Sequence, residues 1–94
     1  MHIAEEAFRH GSLCIPHTWC HVIGTAYAVH LAAITPNMPF FESAMAIPDS
    51  PVISDLLVPK LEVRSDGTME VPNRPGLGFE LNEEVLRKYR VDPY

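Results

Sequence analysis

Two polar side chains, His17 and Glu42, stand at the ends of short apolar segments. Leu13-Cys14-Ile15 precedes His17 with one proline between, and Met38-Pro39-Phe40-Phe41 precedes Glu42. An imidazole can give or take a proton near neutral pH, and a carboxyl group can hydrogen-bond a substrate oxygen as charge develops there. If the apolar segments are parallel strands, the residues at their C-terminal ends meet at one edge of a sheet. His17 and Glu42 are therefore the candidate pair for acid–base chemistry.

Both residues also have ordinary structural interpretations. His17 fits a strand-end histidine that is hydrogen-bonded to a backbone carbonyl, and Glu42 fits a solvated carboxylate before a loop. His30, within an apolar helix, fits a hydrogen-bonded packing residue better than a metal ligand. The choice between these interpretations depends on the surrounding sequence.

A zinc site near the N-terminus is the main rival chemistry. Its ligands would be Cys14, His17, Cys20 and His21, and the two histidines have the i, i+4 spacing that places two imidazoles on one helical face. Pro16 disfavours a helix through His17, and the cysteines lack the C-x-x-C spacing of structural zinc sites. Free thiols in a reducing cytoplasm are the favoured interpretation of both cysteines.

The elements that would position His17 and Glu42 alternate along the first half of the chain. Apolar spacing predicts an amphipathic helix from Ile3 to His10 and then a buried strand over Ser12–Ile15. An apolar helix follows over Cys20–Ile34, with Thr18 as its predicted N-cap. The aromatic run Met38–Glu42 predicts a second buried strand. Strand, helix and strand with short connections form a βα crossover, which makes the two strands parallel.

The second half is rich in proline and predicts a different organisation. A loop runs from Ser43 to Pro59, with one helical turn around Ile53–Leu57. A hairpin over Leu61–Val71 follows, in which the three-residue loop Ser65-Asp66-Gly67 places Val63 opposite Met69.

A short helix is predicted at the end of the chain, after a turn at Pro75–Gly78. Asn82 is its predicted N-cap, acidic residues follow directly, and basic residues lie in its last turn. This order of charges suits the helix dipole.

Composition excludes several classes of protein. The chain has 94 residues, 47% of them hydrophobic, 20% charged, and a formal net charge of −5. A chain of this length holds one modest core. The acidic balance without a basic cluster argues against binding to nucleic acid or an anionic membrane. The longest apolar run, Val22–Ile34, is shorter than the roughly 20 residues of a membrane span, and the acidic N-terminus lacks an export signal. A cytoplasmic location is expected.

The predicted sheet is incomplete. Two parallel strands that are buried on both faces need neighbours to cover their edges. Either a partner chain supplies those strands or the sequence is the end of a longer protein. The chain begins inside a predicted helix with no capping residue in front, which favours truncation.

The order of several motifs resembles the C-terminal part of the mandelate racemase branch of the enolase superfamily, the mandelate racemase and muconate lactonizing enzyme family. The resemblance spans nearly the whole chain. The matching motifs are Pro16-His17-Thr18-Trp19, His30-Leu31-Ala32-Ala33-Ile34-Thr35-Pro36-Asn37, Phe40-Phe41-Glu42, Asp66-Gly67, Val71-Pro72 and Arg74-Pro75-Gly76-Leu77-Gly78.

The resemblance implies an α/β fold, namely the C-terminal fragment of a modified TIM barrel. Leu13–His17 would be the seventh barrel strand, Cys20–Ile34 the seventh helix and Phe40–Glu42 the eighth strand. Residues 1–43 would thus form the partial barrel end. Residues 44–94 would form a tail whose hairpin and terminal helix return to an α+β capping domain.

The resemblance also implies a chemistry for the complete enzyme. Members of this family use Mg²⁺ to stabilise the enediolate that forms when a base removes the proton α to a carboxylate. His17 matches the catalytic histidine, and Glu42 matches the carboxyl group that donates a hydrogen bond to the substrate carboxylate. The family's metal ligands, its lysine base and the aspartate that orients the histidine would all lie before Met1. The chain alone is therefore expected to have no metal site and no turnover.

The expected activity is that of an acid-sugar dehydratase acting on a carboxylate substrate. A racemase or cycloisomerase of the same superfamily is the first alternative. The complete enzyme is expected to be a homo-oligomer. A different alternative is a non-enzymatic stand-alone interaction module, in which the apolar helix Cys20–Ile34 is a binding face.

Overall fold

The computed structural model describes residues 1–19, 21–43 and 50–92 and contains both helices and strands. The elements are α1 (His2–Arg9), α2 (Val22–Ile34), α3 (Pro51–Ser54), β1 (Leu57–Val58), β2 (Glu80–Leu81) and α4 (Glu83–Tyr89). The described residues thus contain both helices and strands, as the predicted α/β class requires. None of the helices in the described ranges has the length and apolar character needed to cross a membrane.

The first two helices form where apolar spacing predicted them. α1 ends at Arg9, one residue before the predicted end, and Gly11 beyond it adopts a φ of 67°. α2 begins at Val22 with His21 as its N-cap, and it ends at Ile34 as predicted. The predicted first residue of this helix, Cys20, lies outside the described residues.

The predicted role of Thr18 as the N-cap of α2 is wrong. The Thr18 hydroxyl donates a hydrogen bond to the backbone oxygen of Glu42 instead. A side chain four residues before the helix is too far away to bond the first-turn N–H groups while it holds another segment.

The predicted strands Ser12–Ile15 and Met38–Glu42 are extended but are not strands of a sheet. They run side by side in the same direction, because Cys14 N–H donates to the Asn37 carbonyl over 3.0 Å and Thr18 contacts Glu42 further along. Their predicted burial is also wrong, since Leu13 and Phe40 are 57% and 61% exposed. Two adjacent parallel segments without flanking strands do not form the ladder that a full sheet would support.

The predicted hairpin in the tail is confirmed at its loop. Val63 and Met69 form an antiparallel bridge, and Arg64 N–H donates to the Thr68 carbonyl over 2.8 Å. The Arg64 guanidinium also lies 2.5 Å from the Glu70 carboxylate on the adjoining strand.

A second antiparallel pairing joins β1 and β2, with Leu57 opposite Leu81 and Val58 opposite Glu80. The helical turn predicted around Ile53–Leu57 lies earlier in the chain, because α3 covers Pro51–Ser54 and Leu57 belongs to β1. Pro51 suits the first turn of a helix, which favours the earlier start. Asn82 follows β2 and caps α4 as predicted, because its side chain accepts hydrogen bonds from the N–H groups of Glu84 and Val85. Residues 44–49 of the predicted loop lie outside the described residues.

The main core lies between α2 and the tail. Its buried members are Val22, Ala26, Val29, Leu56, Leu57 and Leu61. α2 is buried on one face and not all round, since Tyr27 and Ile34 are 62% and 66% exposed. His30 also joins α2 to the tail, because its Nε2 atom lies 3.0 Å from the Leu77 carbonyl oxygen. The core therefore fixes the tail on the helix that separates His17 from Glu42.

Candidate active site

His17 and Glu42 lie against each other near the ends of the two extended segments. The Nδ1 atom of His17 is 2.6 Å from Oε2 of Glu42, and 76% and 42% of their side chains are exposed. Sequence reasoning named these two residues, and the structure brings them together. Both groups are accessible to a molecule that approaches from solvent.

One oxygen of Glu42 receives two contacts. The backbone N–H of Thr18 donates to Oε2 over 3.0 Å, and His17 Nδ1 contacts the same atom. The contact is an ion pair when the imidazole is protonated, because both ring nitrogens then carry a proton. The ring nitrogen that faces Glu42 is Nδ1, and Nε2 lies on the other side of the ring. The carboxylate thus orients the ring with Nε2 free of the Glu42 contact.

Thr18 anchors the backbone of Glu42 as well as its side chain. Thr18 is 7% exposed, and its hydroxyl donates to the Glu42 carbonyl oxygen. Burial keeps water from competing for this hydrogen bond. Sequence reasoning missed this role, although a hydroxyl residue directly after a candidate catalytic histidine was a usable signal.

Asn37 lies at the end of the two extended segments that is far from His17 and Glu42. It joins its own segment to α1 and to the segment that leads to His17. Its Nδ2 atom donates to the carbonyls of Ala4 over 2.9 Å and Ser12 over 3.0 Å. Its own carbonyl accepts the Cys14 N–H. Asn37 is 6% exposed, so these polar groups are satisfied inside the protein. The sequence analysis placed Asn37 in a motif but assigned it no contact.

Two carboxyl groups outside the His17–Glu42 pair have a lowered pKa. A hydrogen bond from Lys60 lowers the pKa of Asp55, and the two side chains lie 2.5 Å apart. The hydroxyl of Thr68 is the main cause that lowers the pKa of Asp66. Both groups lie in the tail and belong to an ion pair and a turn, respectively.

Within residues 1–19, 21–43 and 50–92, the histidine, cysteine and acidic side chains form no group of three or more that could hold a metal ion. Cys20, one of the four candidate zinc ligands, lies outside the described residues. Mg²⁺ prefers several oxygen ligands in octahedral geometry, and the His17–Glu42 pair supplies a single carboxylate. The described residues therefore do not fit a magnesium site.

Comparison with known proteins identifies a family. Residues 1–85 match the sequence profile of the family described as enolase C-terminal domain-like. No solved structure gives a significant match.

Curated relatives match most of this chain but only a part of their own length. An L-rhamnonate dehydratase from Saccharopolyspora erythraea is 32% identical over 87 residues, which cover 88% of this chain and 21% of the relative. A D-galactarolactone cycloisomerase from Agrobacterium fabrum is 32% identical over 98 aligned positions, which cover 97% of this chain and 26% of the relative. The chain thus spans about a fifth to a quarter of these relatives.

Proposed function

Since the chain belongs to the enolase C-terminal domain-like family, we propose that it forms the C-terminal part of a Mg²⁺-dependent enzyme that removes the proton α to a carboxylate. The proposed reaction is the dehydration of an acid sugar. The similarity to an L-rhamnonate dehydratase supports this substrate class. Leu13–His17 and Phe40–Glu42 would be the last two strands of the complete barrel.

The observation that carries the proposal is the 2.6 Å contact between His17 Nδ1 and Glu42 Oε2. Because Nδ1 faces Glu42, the Nε2 atom of His17 is clear of that contact and available to take a proton from the substrate or return one to it. Glu42 is proposed to donate a hydrogen bond to the substrate carboxylate, a role that requires its carboxyl group to be protonated. This bond strengthens as negative charge develops on the substrate. The proximity of the two groups allows both to act on one small substrate.

Magnesium would be held by residues other than the described ones. Such an ion would supply stabilisation of the negative charge that develops on the substrate. The described residues contribute the proton-exchanging imidazole and the adjacent carboxyl group, and neither role requires them to touch the metal.

The first test is the genomic reading frame upstream of the codon for Met1. The proposal expects an open frame that encodes acidic residues at the ends of three successive predicted strands. Stop codons and a ribosome-binding site directly before Met1 would contradict it. That result would instead favour the stand-alone interaction module.

The second test uses the full-length protein encoded by that frame. His17→Asn should slow exchange of the substrate α-proton in deuterated solvent by on the order of 10²-fold or more. The matched control is His10→Asn, because His10 is also an exposed histidine that contacts a glutamate, Glu6, at 3.3 Å. Exchange at the normal rate in His17→Asn would show that the histidine assignment is wrong.

The similarity to a D-galactarolactone cycloisomerase favours one alternative reaction. A cycloisomerase would rearrange a lactone without loss of water. Mass analysis of the product separates the two reactions, because dehydration removes one water and isomerisation leaves the mass unchanged.

A further inference from the structure

Asn37 holds both extended segments of the candidate site through its side chain and its backbone together. We propose that Asn37 is a positioning residue that sets the register between residues 12–17 and 37–42 and thereby holds His17 against Glu42. The meaning of that contact for catalysis rests on the proposed function. The positioning itself is a property of this chain and can be tested without substrate.

The contacts of Asn37 require a side chain that donates two hydrogen bonds, which few residues of this size can do. Both Nδ2 protons are taken, one by the Ala4 carbonyl at 2.9 Å and one by the Ser12 carbonyl at 3.0 Å. An aspartate of the same size cannot donate when ionised, and an apolar residue cannot donate at all. Loss of the amide would remove a donor from the buried contact at the Ala4 carbonyl and from the part-buried contact at the Ser12 carbonyl, which is costly.

The anchored points are connected to the site by stiff backbone. Pro16 lies between Cys14, whose N–H bonds the Asn37 carbonyl, and His17. Pro39 lies between Asn37 and Glu42. A proline fixes its own φ and restricts the preceding residue to extended conformations. A displacement of Asn37 therefore also displaces His17 and Glu42, because the two stiff segments do not bend to compensate for it.

The register between the two segments matters because the residues beside His17 and Glu42 cannot take over their roles. Pro16 and Thr18 flank His17, and Phe41 and Ser43 flank Glu42. A slip by one residue in an extended segment also turns its side chains to the opposite face. The Thr18 contacts hold the segments at the Glu42 end, and Asn37 holds them at the end near α1.

The test measures the His17 ring directly in the 94-residue chain. Nitrogen-15 chemical shifts of a histidine ring report which nitrogen carries the proton and whether it is hydrogen-bonded. Spectra are recorded at one pH above neutrality for the wild type and for Glu42→Gln, which defines the signal of a broken pair. We expect Asn37→Asp and Asn37→Ala to move the His17 Nδ1 resonance toward its position in Glu42→Gln.

The matched control is Asn73→Asp, which makes the same substitution at an exposed asparagine of the tail. We expect it to leave the His17 signal unchanged. Asn37→Ala introduces no buried charge and is measured well below its own unfolding temperature. A wild-type His17 signal in this folded variant would overturn the proposal and leave Asn37 a purely structural residue.

Failure of this proposal is distinct from failure of the proposed function. If the wild type and Glu42→Gln give the same His17 signal, the pair is not formed in solution and the positioning proposal is wrong. If the signal moves as expected but His17→Asn in the full-length protein still exchanges the α-proton, positioning holds and the catalytic assignment fails.

Discussion

Thr18 and Glu42 are joined by two hydrogen bonds across the extended segments. The Thr18 N–H donates to Glu42 Oε2 over 3.0 Å, and the Thr18 hydroxyl donates to the Glu42 carbonyl. The first bond holds the carboxylate and the second holds the backbone that carries it. The position of the acidic group therefore depends on the residue beside His17, and not on His17 alone.

Replacement of the buried Thr18 by valine should destabilise the chain by about 1–2 kcal/mol, because the Glu42 carbonyl loses its hydroxyl donor while the side-chain shape is kept. Urea denaturation measures this change. Thr18→Ser keeps the hydroxyl and is the matched control, with a smaller expected loss. A loss in Thr18→Ser as large as the loss in Thr18→Val would contradict the dominant role of the hydroxyl.

Asn82 caps α4 and also bonds the segment before β1. Its Oδ1 accepts from the N–H groups of Glu84 at 3.1 Å and Val85 at 3.3 Å, and its Nδ2 donates to the Asp55 carbonyl at 3.1 Å. Asn82→Ala should cost about 1–2 kcal/mol through loss of the cap. Asn82→Asp keeps the accepting oxygen and should cost less. The free energies of unfolding of the two variants, compared by urea denaturation, check this order, and the reverse order would contradict the capping role.

Asp66 should show a pKa below the usual range for an aspartate. Its Oδ1 accepts hydrogen bonds from the Thr68 hydroxyl at 2.7 Å and the Thr68 N–H at 2.9 Å, and both favour the ionised form. Because the folded pKa is lowered, the stabilisation is present above the unfolded pKa and is lost as the pH falls through the folded pKa. Thr68→Val should raise the pKa of Asp66, as measured by NMR titration.

The ion pair of Asp55 provides the comparison for that titration. Lys60 lowers the pKa of Asp55 through a charged hydrogen bond, so added salt should weaken the effect on this exposed pair. The effect at Asp66 comes mainly from the uncharged Thr68 and should persist in salt. An equal response of the two groups to salt would contradict this assignment of causes.

Two glycines of the tail should differ in their tolerance of a methyl group. Gly67 and Gly78 have φ values of 83° and 79°, a region that other residues enter at a cost of about 1–2 kcal/mol. A Cβ atom at Gly67 would meet open space, whereas one at Gly78 would overlap Pro72. Gly67→Ala should therefore show the backbone cost alone, and Gly78→Ala about 1–3 kcal/mol more. Thermal unfolding of the two variants checks the difference, and equal losses would show that Pro72 moves aside.

The elements whose signals are local could be predicted from the amino-acid sequence. α1 and α2 follow from apolar residues at helical spacing, the cap of α4 follows from Asn82 before two acidic residues, and the hairpin loop follows from the register around Gly67. Each of these patterns involves residues within a few positions of one another. The candidate pair could also be named, because His17 and Glu42 are polar residues at the ends of apolar segments.

The contacts between distant segments could not be predicted from residue types and became visible in the folded chain. The pairing of β1 with β2, the attachment of Thr18 to Glu42 and the three bonds of Asn37 all join residues far apart in sequence. A hydroxyl or amide can satisfy its hydrogen bonds with any nearby backbone, so residue type alone does not select the partner. That choice depends on which segments the packing of α2 against the tail brings within reach.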